Sequence, residues 1–332
     1  MKISIIGGGS WGTTLAQALV DNNNEVLIRD INQDFVYKIN NEHKHPFFEN
    51  IISPKIVATT NLEETVDFSD IIVLCVPTKA MRTVLKEINL LTKSKKLFVN
   101  VSKGIEPQTS LTISRLVEEE ITKNFGGYVV LSGPSHAEEL IERKLTSLVA
   151  ASNNMNHARF VQELFSNDTY LRVYTSDDVI GVETSGAMKN AIAIVSGIAS
   201  GIGLGENARA FLITRGLKDI ISVVLTLGGK METVYGLTGI GDLIVTASSM
   251  NSRNFQCGLK IGQGMDIEEA TSSMVQSVEG IRAINAGYEI AKNYDLELPI
   301  IQIAYLVVNN KISAKEALET ILKRELKSEK YW

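Results

Sequence analysis

Short apolar runs alternate with amphipathic ones through the first half of the chain. Residues 2–6, 25–28, 70–76, 97–101 and 128–131 have the length and composition of strands. Between them, 11–21, 33–41, 79–90 and 110–121 carry the three-to-four-residue spacing of helices. Strands alternating with helices predict a mostly parallel, doubly wound sheet covered on both faces. A further strand-helix-strand unit, 145–151, 156–165 and 170–174, extends that sheet. From 178 onward the pattern is helical throughout: 178–200, 206–227, 253–263, 267–273, 280–292, 300–308 and 314–323. Asp177 or Asp178 serves as N-cap of the first of these. The expected organisation is an α/β domain over 1–177 and an all-α domain over 178–332.

Bulk properties narrow the function. At 332 residues the chain can build two cores, and 44% hydrophobic with 21% charged residues is ordinary for globular domains. A net charge of −5 with no basic stripe argues against a nucleic-acid partner. Cys75 and Cys257 lie far apart, and Cys75 reads as a small core residue. His43, His45, His136 and His157 form no set with cysteine or carboxylate at metal-ligand spacing, so no metal is expected. His43-Lys44-His45 falls in a polar, proline-punctuated loop and is expected to be solvated. The first strand starts at once, leaving no room for a signal peptide. The uncharged run 190–205 is too short for a membrane span. A cytoplasmic protein without membrane contact is the expectation.

The first strand runs straight into Gly7-Gly8-Gly9-Ser10-Trp11-Gly12, a Gly-x-Gly-x-x-Gly pattern opening a helix. Gly7 allows the tight turn, Gly9 lets backbone N–H groups approach a pyrophosphate, and Gly12 lets helix and strand pack closely. The second strand ends at Arg29-Asp30, with Asp30 18 residues beyond Gly12, where an acid can bond a ribose 2′-hydroxyl. This context, more than the glycines alone, predicts a Rossmann-type dinucleotide-binding domain.

Ligands of open parallel sheets bind beyond the carboxyl ends of the strands. Pro77-Thr78-Lys79, Ser102-Lys103-Gly104 and Ser132-Gly133-Pro134-Ser135-His136-Ala137 leave such ends. Lys103 there reads either as a cleft residue or as a surface lysine, and the Ser-Gly-Pro-Ser-His turn as an oxyanion seat or plain turn chemistry. In the helical half, Glu183-Thr184-Ser185-Gly186-Ala187-Met188-Lys189-Asn190 sets a lysine in an apolar helix. Burial penalises its charge and lowers its pKa toward proton-transfer range, unless it snorkels to the surface. Gly236-Leu237-Thr238-Gly239-Ile240-Gly241-Asp242-Leu243 opens another helix with Asp242 in its first turn, where an acid also complements the dipole. Ser252-Arg253-Asn254 starts a third, reading as a phosphate seat or as routine N-capping by Ser252.

The motifs occur in order: Gly-Gly-Gly-Ser-Trp-Gly-Thr (7–13), Val-Pro-Thr-Lys (76–79), Val-Ser-Lys-Gly-Ile-Glu (101–106), Leu-Ser-Gly-Pro-Ser-His-Ala-Glu (131–138), Gly-Ala-Met-Lys-Asn (186–190), Gly-Leu-Thr-Gly-Ile-Gly-Asp-Leu (236–243) and Asn-Ser-Arg-Asn (251–254). From residue 1 to about 323 the chain closely resembles the bacterial NAD(P)-dependent sn-glycerol-3-phosphate dehydrogenase family. The resemblance implies a Rossmann-type domain followed by a helical one, and members that commonly dimerise. It implies Lys189 as the proton donor and acceptor, with Lys103 and Asp242 assisting. Glycerol 3-phosphate or dihydroxyacetone phosphate would contact Lys103, Gly133, Ser135, Lys189, Asp242, Ser252, Arg253 and Asn254. NAD or NADP would contact Gly7, Gly9, Ser10, Trp11, Gly12, Arg29, Asp30, Lys103, Ala137, Arg253 and Glu279. Thr246 and Asn190 would support these groups. Supply of glycerol 3-phosphate for phospholipid synthesis is the role implied.

One departure bears on the cofactor. Family members often carry Trp-Ala-Arg-Asn or Trp-Ala-His-Arg after the second strand, where this chain has Arg29-Asp30-Ile31-Asn32. An acid repels a 2′-phosphate, so NAD is expected over NADP, with Arg29 as the group able to meet a phosphate instead. A Lys/Asn pair on the first long helix also serves 3-hydroxyacid and 6-phosphogluconate dehydrogenases. The Ser252-Arg253-Asn254 cluster and the glycine turn before Asp242 favour the glycerol phosphate reading over those. A non-catalytic nicotinamide sensor is the remaining alternative, and it would not need the lysines, carboxylate and phosphate seat together.

Overall fold

The structure, a computed structural model, describes residues 1–106, 109–274, 277–323, 325 and 329. The chain divides into two units, Met1–Lys103 with Leu111–Glu183, and Gly104–Ser110 with Thr184–Trp332. The expected end of the second domain, beyond 323, lies largely outside the described residues.

Alternation of side chains across a pleated strand explains how the first unit is layered. Its strands are β1 (Lys2–Ile6), β2 (Glu25–Arg29), β3 (Ile56–Thr59), β4 (Ile71–Leu74), β5 (Lys96–Asn100), β6 (Phe125–Ser132), β7 (Thr146–Ala151) and β8 (Leu171–Ser176). They form one sheet in the order β3-β2-β1-β4-β5-β6-β7-β8. Ile3, Ile5, Val73 and Val99 bury on one face, and Ile6, Ile72, Leu74 and Phe98 on the other. Both faces are covered, hence the continuous apolar runs. Strands β3 to β6 pair in parallel, β7 joins β6 antiparallel, and β8 is parallel to β7. The order reverses between β1 and β4, so their carboxyl ends form the switch point where such sheets bind ligands.

Helices of this unit are α1 (Ser10–Asp21), α2 (Gln33–Tyr37), α3 (Leu62–Phe68), α4 (Thr78–Leu91), α5 (Ile113–Glu120), α6 (Ala137–Ile141) and α7 (Met155–Phe165). The helix predicted over 33–41 is α2 continued by a π-helical turn, Lys38–Glu42. Strand β3 and helices α3 and α6 were not predicted. In β3 only alternate residues bury, over four positions, which is too short a pattern to separate from its polar surroundings.

The second unit is helical: α8 (Val179–Gly201), which begins in the first unit, then α9 (Glu206–Thr226), α10 (Met231–Tyr235), α11 (Asp242–Ser248), α12 (Arg253–Gly262), α13 (Ile267–Ser272), α14 (Gly280–Tyr294), α15 (Pro299–Val308) and α16 (Ala314–Leu322). Asp178 caps α8, its carboxylate accepting from the Gly181 N–H at 2.8 Å. Ala187, Met188, Ala191 and Ile192 are fully buried, so α8 is a core helix. Its small residues serve packing. A Cβ on Gly197 would lie 2.1 Å from the Phe255 carbonyl, and one on Gly258 2.2 Å from the Ile194 carbonyl. The backbones of α8 and α12 therefore touch, which fixes Lys189 and Asn190 relative to Arg253 and Asn254. No helix among the described residues is long and apolar enough to cross a membrane.

Candidate active site

The glycine turn follows the roles its spacing predicts. Gly7 has φ +113°, and a Cβ there would lie 2.2 Å from the Cys75 carbonyl oxygen at the end of β4. A Cβ on Gly12 would lie 2.0 Å from the Gly7 oxygen, whereas one on Gly9 would meet nothing within 4 Å. The outer glycines are thus demanded by packing, and the middle one opens on space. Gly9 is the N-cap of α1 and caps it without a side chain, and Ser10 and Trp11 form the first helical turn.

Gly8 is gripped from both sides. Its N–H donates to Asp30 Oδ2 at 2.7 Å, and its carbonyl accepts from Thr13 Oγ1 at 3.1 Å and from His45 Nε2 at 3.0 Å. Asp30 Oδ1 also accepts from Asn32 N at 2.8 Å. The acid expected to bond a ribose is held against the turn, and Arg29 beside it carries a buried Nε with no partner.

His45 corrects the expectation of a solvated loop, for it is 1% exposed. Its ring meets Phe35 and Phe47 edge to face, with centroids 5.2 and 5.0 Å away, and Phe48 closes the cage. Burial pushes the imidazole below its ordinary 6.5, against the pull of the Gly8 carbonyl and Asp30, while Lys38 adds to the lowering. The Pro46-Phe47-Phe48 run beside it was the available signal.

Beyond β5 and β6 the expected residues Lys103, Gly133 and Ser135 come together. Lys103 Nζ donates to the Gly133 carbonyl at 2.8 Å and to Ser135 Oγ at 3.3 Å, and Ser135 Oγ donates to the same carbonyl at 2.9 Å. Gly133 has φ +142° and approaches the Ser147 carbonyl, so the turn requires glycine. Ala137 follows as the first residue of α6.

In the second unit Lys189, Asp242 and Thr246 form a buried cluster. Lys189 Nζ donates to Asp242 Oδ1 and, at 2.6 Å, to Thr246 Oγ1. Thr246 Oγ1 in turn donates to the Asp242 carbonyl at 2.6 Å. A π-helical turn, Leu237–Gly241, delivers Asp242 to this position. Gly239 sits where a Cβ would lie 1.9 Å from the Val234 carbonyl, so only glycine fits the turn. The carboxylate offsets part of the cost of burying the ammonium, and removing either partner would leave the other charge buried and uncompensated. A lysine so placed can donate a proton to an adjacent oxygen and recover it through its partners.

A second chain of amides runs beside it. Asn254 Nδ2 donates to Asn190 Oδ1 at 2.9 Å, and Asn254 Oδ1 accepts from Gly280 N at 2.9 Å. Ser252 is the N-cap of α12, accepting from Phe255 N at 3.2 Å, and Arg253 is exposed at the first helical position. Glu279, just before α14, accepts from Arg282 at 3.2 Å through Oε1, while its Oε2 is buried without a partner. Within the first unit, the open space at Gly9 and the start of α1 fit the pyrophosphate of a dinucleotide.

The sequence reading gave no role to the buried carboxylate of Glu183. Glu183 accepts from Ser114 N at 2.9 Å and from the hydroxyls of Ser114 and Tyr128. Burial raises its pKa above the ordinary 4.5, opposed by those bonds.

Both halves of the chain match known proteins. Residues 2–158 match the family model described as NAD-dependent glycerol-3-phosphate dehydrogenase N-terminus, and 178–319 match its C-terminus. A glycerol-3-phosphate dehydrogenase (NAD(P)+) of Acholeplasma laidlawii is 59% identical over 99% of this chain and 99% of its own length. One from Phytoplasma mali is 49% identical over 99% of each. The crystal structure of glycerol-3-phosphate dehydrogenase from Coxiella burnetii superimposes with a TM-score of 0.92 at 32% identity, covering 97% of this chain and 99% of that one. Two family models in the right order and near-complete coverage leave one conclusion. The chain belongs to the NAD-dependent glycerol-3-phosphate dehydrogenase family.

Proposed function

We propose that this chain catalyses reversible hydride transfer between NAD(P)H and dihydroxyacetone phosphate, giving sn-glycerol 3-phosphate. The observation that carries this reading is the buried Lys189–Asp242–Thr246 cluster, in a chain whose relatives are named for that activity. The bound nicotinamide supplies or accepts the hydride at the substrate's C2. Lys189 donates a proton to the ketone oxygen as negative charge develops, and removes the hydroxyl proton in the other direction. General acid–base assistance of this kind contributes roughly 10²–10⁴-fold. Asp242 holds the ammonium, and Thr246 fixes its direction. Asn190 acts through Asn254, which it orients.

Substrate contacts are proposed for Lys103, Gly133 and Ser135, and for Ser252, Arg253 and Asn254, whose guanidinium and helix N-terminus suit a phosphate. Gly7, Gly9, Ser10, Trp11, Gly12, Ala137, Arg253 and Glu279 are assigned to the dinucleotide, with Asp30 directing choice toward NAD. A homodimer is part of the proposal and is tested by light scattering of the purified chain. Cytoplasmic location, where the dinucleotide pool lies, is tested by cell fractionation, and glycerol 3-phosphate supply for phospholipid synthesis by lipid labelling after depletion.

Absorbance loss at the NADH band with dihydroxyacetone phosphate tests the activity itself. Turnover with that ketone, and none with 3-hydroxyacids or 6-phosphogluconate, supports the reading. Dinucleotide binding without turnover on any of them overturns it.

A further inference from the structure

We propose that His45, neutral and protonated on Nε2, is a positioning residue that sets the glycine turn for dinucleotide binding. The inference rests on the reading above that this turn holds the pyrophosphate. The partners fix the tautomer. Gly8 O can only accept, so the Nε2 atom 3.0 Å away carries the hydrogen, and Phe47 N donates at 3.3 Å to Nδ1, which must be bare. Both ring nitrogens are thereby satisfied in one protonation state.

The peptide geometry supplies the link to binding. In a planar trans peptide the carbonyl and the following N–H point in opposite directions. There are no cis peptides among the described residues. With its carbonyl held by His45 and Thr13, the Gly8–Gly9 unit keeps the Gly9 N–H turned away from the aromatic cage. Asp30, on Gly8 N, holds the preceding peptide. Gly9 is also the residue of the turn that opens on free space. His45 thus locks the one peptide whose direction the pyrophosphate would read.

Protonation breaks the arrangement. An imidazolium has no acceptor, so its new Nδ1–H opposes the Phe47 N–H, and the cage of Phe35, Phe47 and Phe48 offers no replacement. Asp30 favours the cation and Lys38 disfavours it, and burial outweighs both. The neutral form therefore prevails above the ordinary pKa of 6.5, and its contribution is lost as pH falls through the lower folded value.

Calorimetric titration of the purified chain with NADH, from about pH 5.5 to about pH 8, tests this. His45→Phe keeps the aromatic packing without the donor and should raise Kd about fivefold, the worth of one neutral hydrogen bond. The change falls on Kd and KM for the dinucleotide more than on kcat. His45→Gln places an amide nitrogen where Nε2 stands, so it should restore affinity and remove the acid-side weakening seen in the wild type. Wild-type affinity in His45→Phe, or an unchanged acid limb in His45→Gln, overturns the proposal. Should His45→Phe fail to melt cooperatively, the His45→Gln profile decides alone. Failure of the wild type to bind NADH at any pH overturns the dinucleotide reading first, and this inference with it.

Discussion

Lys189 and Asp242 pair as opposite charges almost beyond the reach of water, with 5% and 1% of their side chains exposed. Each makes the other's burial tolerable, and their helices reach one another through backbone turns that admit only glycine at Gly239. The pair holds the Lys189 amine in a fixed direction, toward Asp242 and Thr246.

Asp242→Asn removes the counter-charge and leaves a buried ammonium. Loss of one partner of such a pair costs about 3 kcal/mol, read by urea unfolding. Lys189→Met in the same chain should recover most of that loss, because no lone charge remains. Simple additivity of the two losses would show that the pair is not coupled.

Arg253 stands at the first position of α12, beside Ser252 and Asn254. Arg253→Ala should raise KM for dihydroxyacetone phosphate about tenfold or more, the worth of a charge-assisted bond, with a smaller change in kcat. An unchanged KM would remove it from phosphate binding.

The proposed preference for NAD rests on Asp30. We expect kcat/KM for NADH to exceed that for NADPH about tenfold or more, since a fixed carboxylate repels a 2′-phosphate. Asp30→Ala should narrow the ratio while weakening both, because the Gly8 N–H loses its acceptor. A strong NADPH preference in the wild type would contradict the assignment and point to Arg29.

The glycine turn, the Asp178 cap and the two-part architecture were legible because each is written in local spacing. Lys189 was legible because a lone charge in an apolar helix is conspicuous. Asp242 was not separable from a dipole-complementing acid until its carboxylate was seen against Lys189, 53 positions away. His45 was misread for the same reason. Its loop is polar in sequence, yet Phe35 and the Gly8 carbonyl reach it from other elements. Short elements such as β3 and α10 carry too few residues for a periodic signal.

Glu183 gives a pH dependence with a definite sign. Its folded pKa is raised above 4.5, so the folded chain binds a proton that the unfolded chain has released. Stability from this group is complete below 4.5 and falls as pH rises through the folded value, at about 1.4 kcal/mol per pH unit at most. Glu183→Gln cannot ionise and should flatten that limb of the stability profile measured by denaturant unfolding. Parallel profiles for the two proteins would contradict the assignment.

The account turns on the ammonium of residue 189 as proton donor. Its most direct test is the rate of NADH oxidation by Lys189→Met with saturating dihydroxyacetone phosphate, alongside calorimetric NADH affinity. The account predicts a kcat at least about 10²-fold lower, with the NADH Kd unchanged. A folded Lys189→Met enzyme turning over at close to the wild-type rate would contradict it.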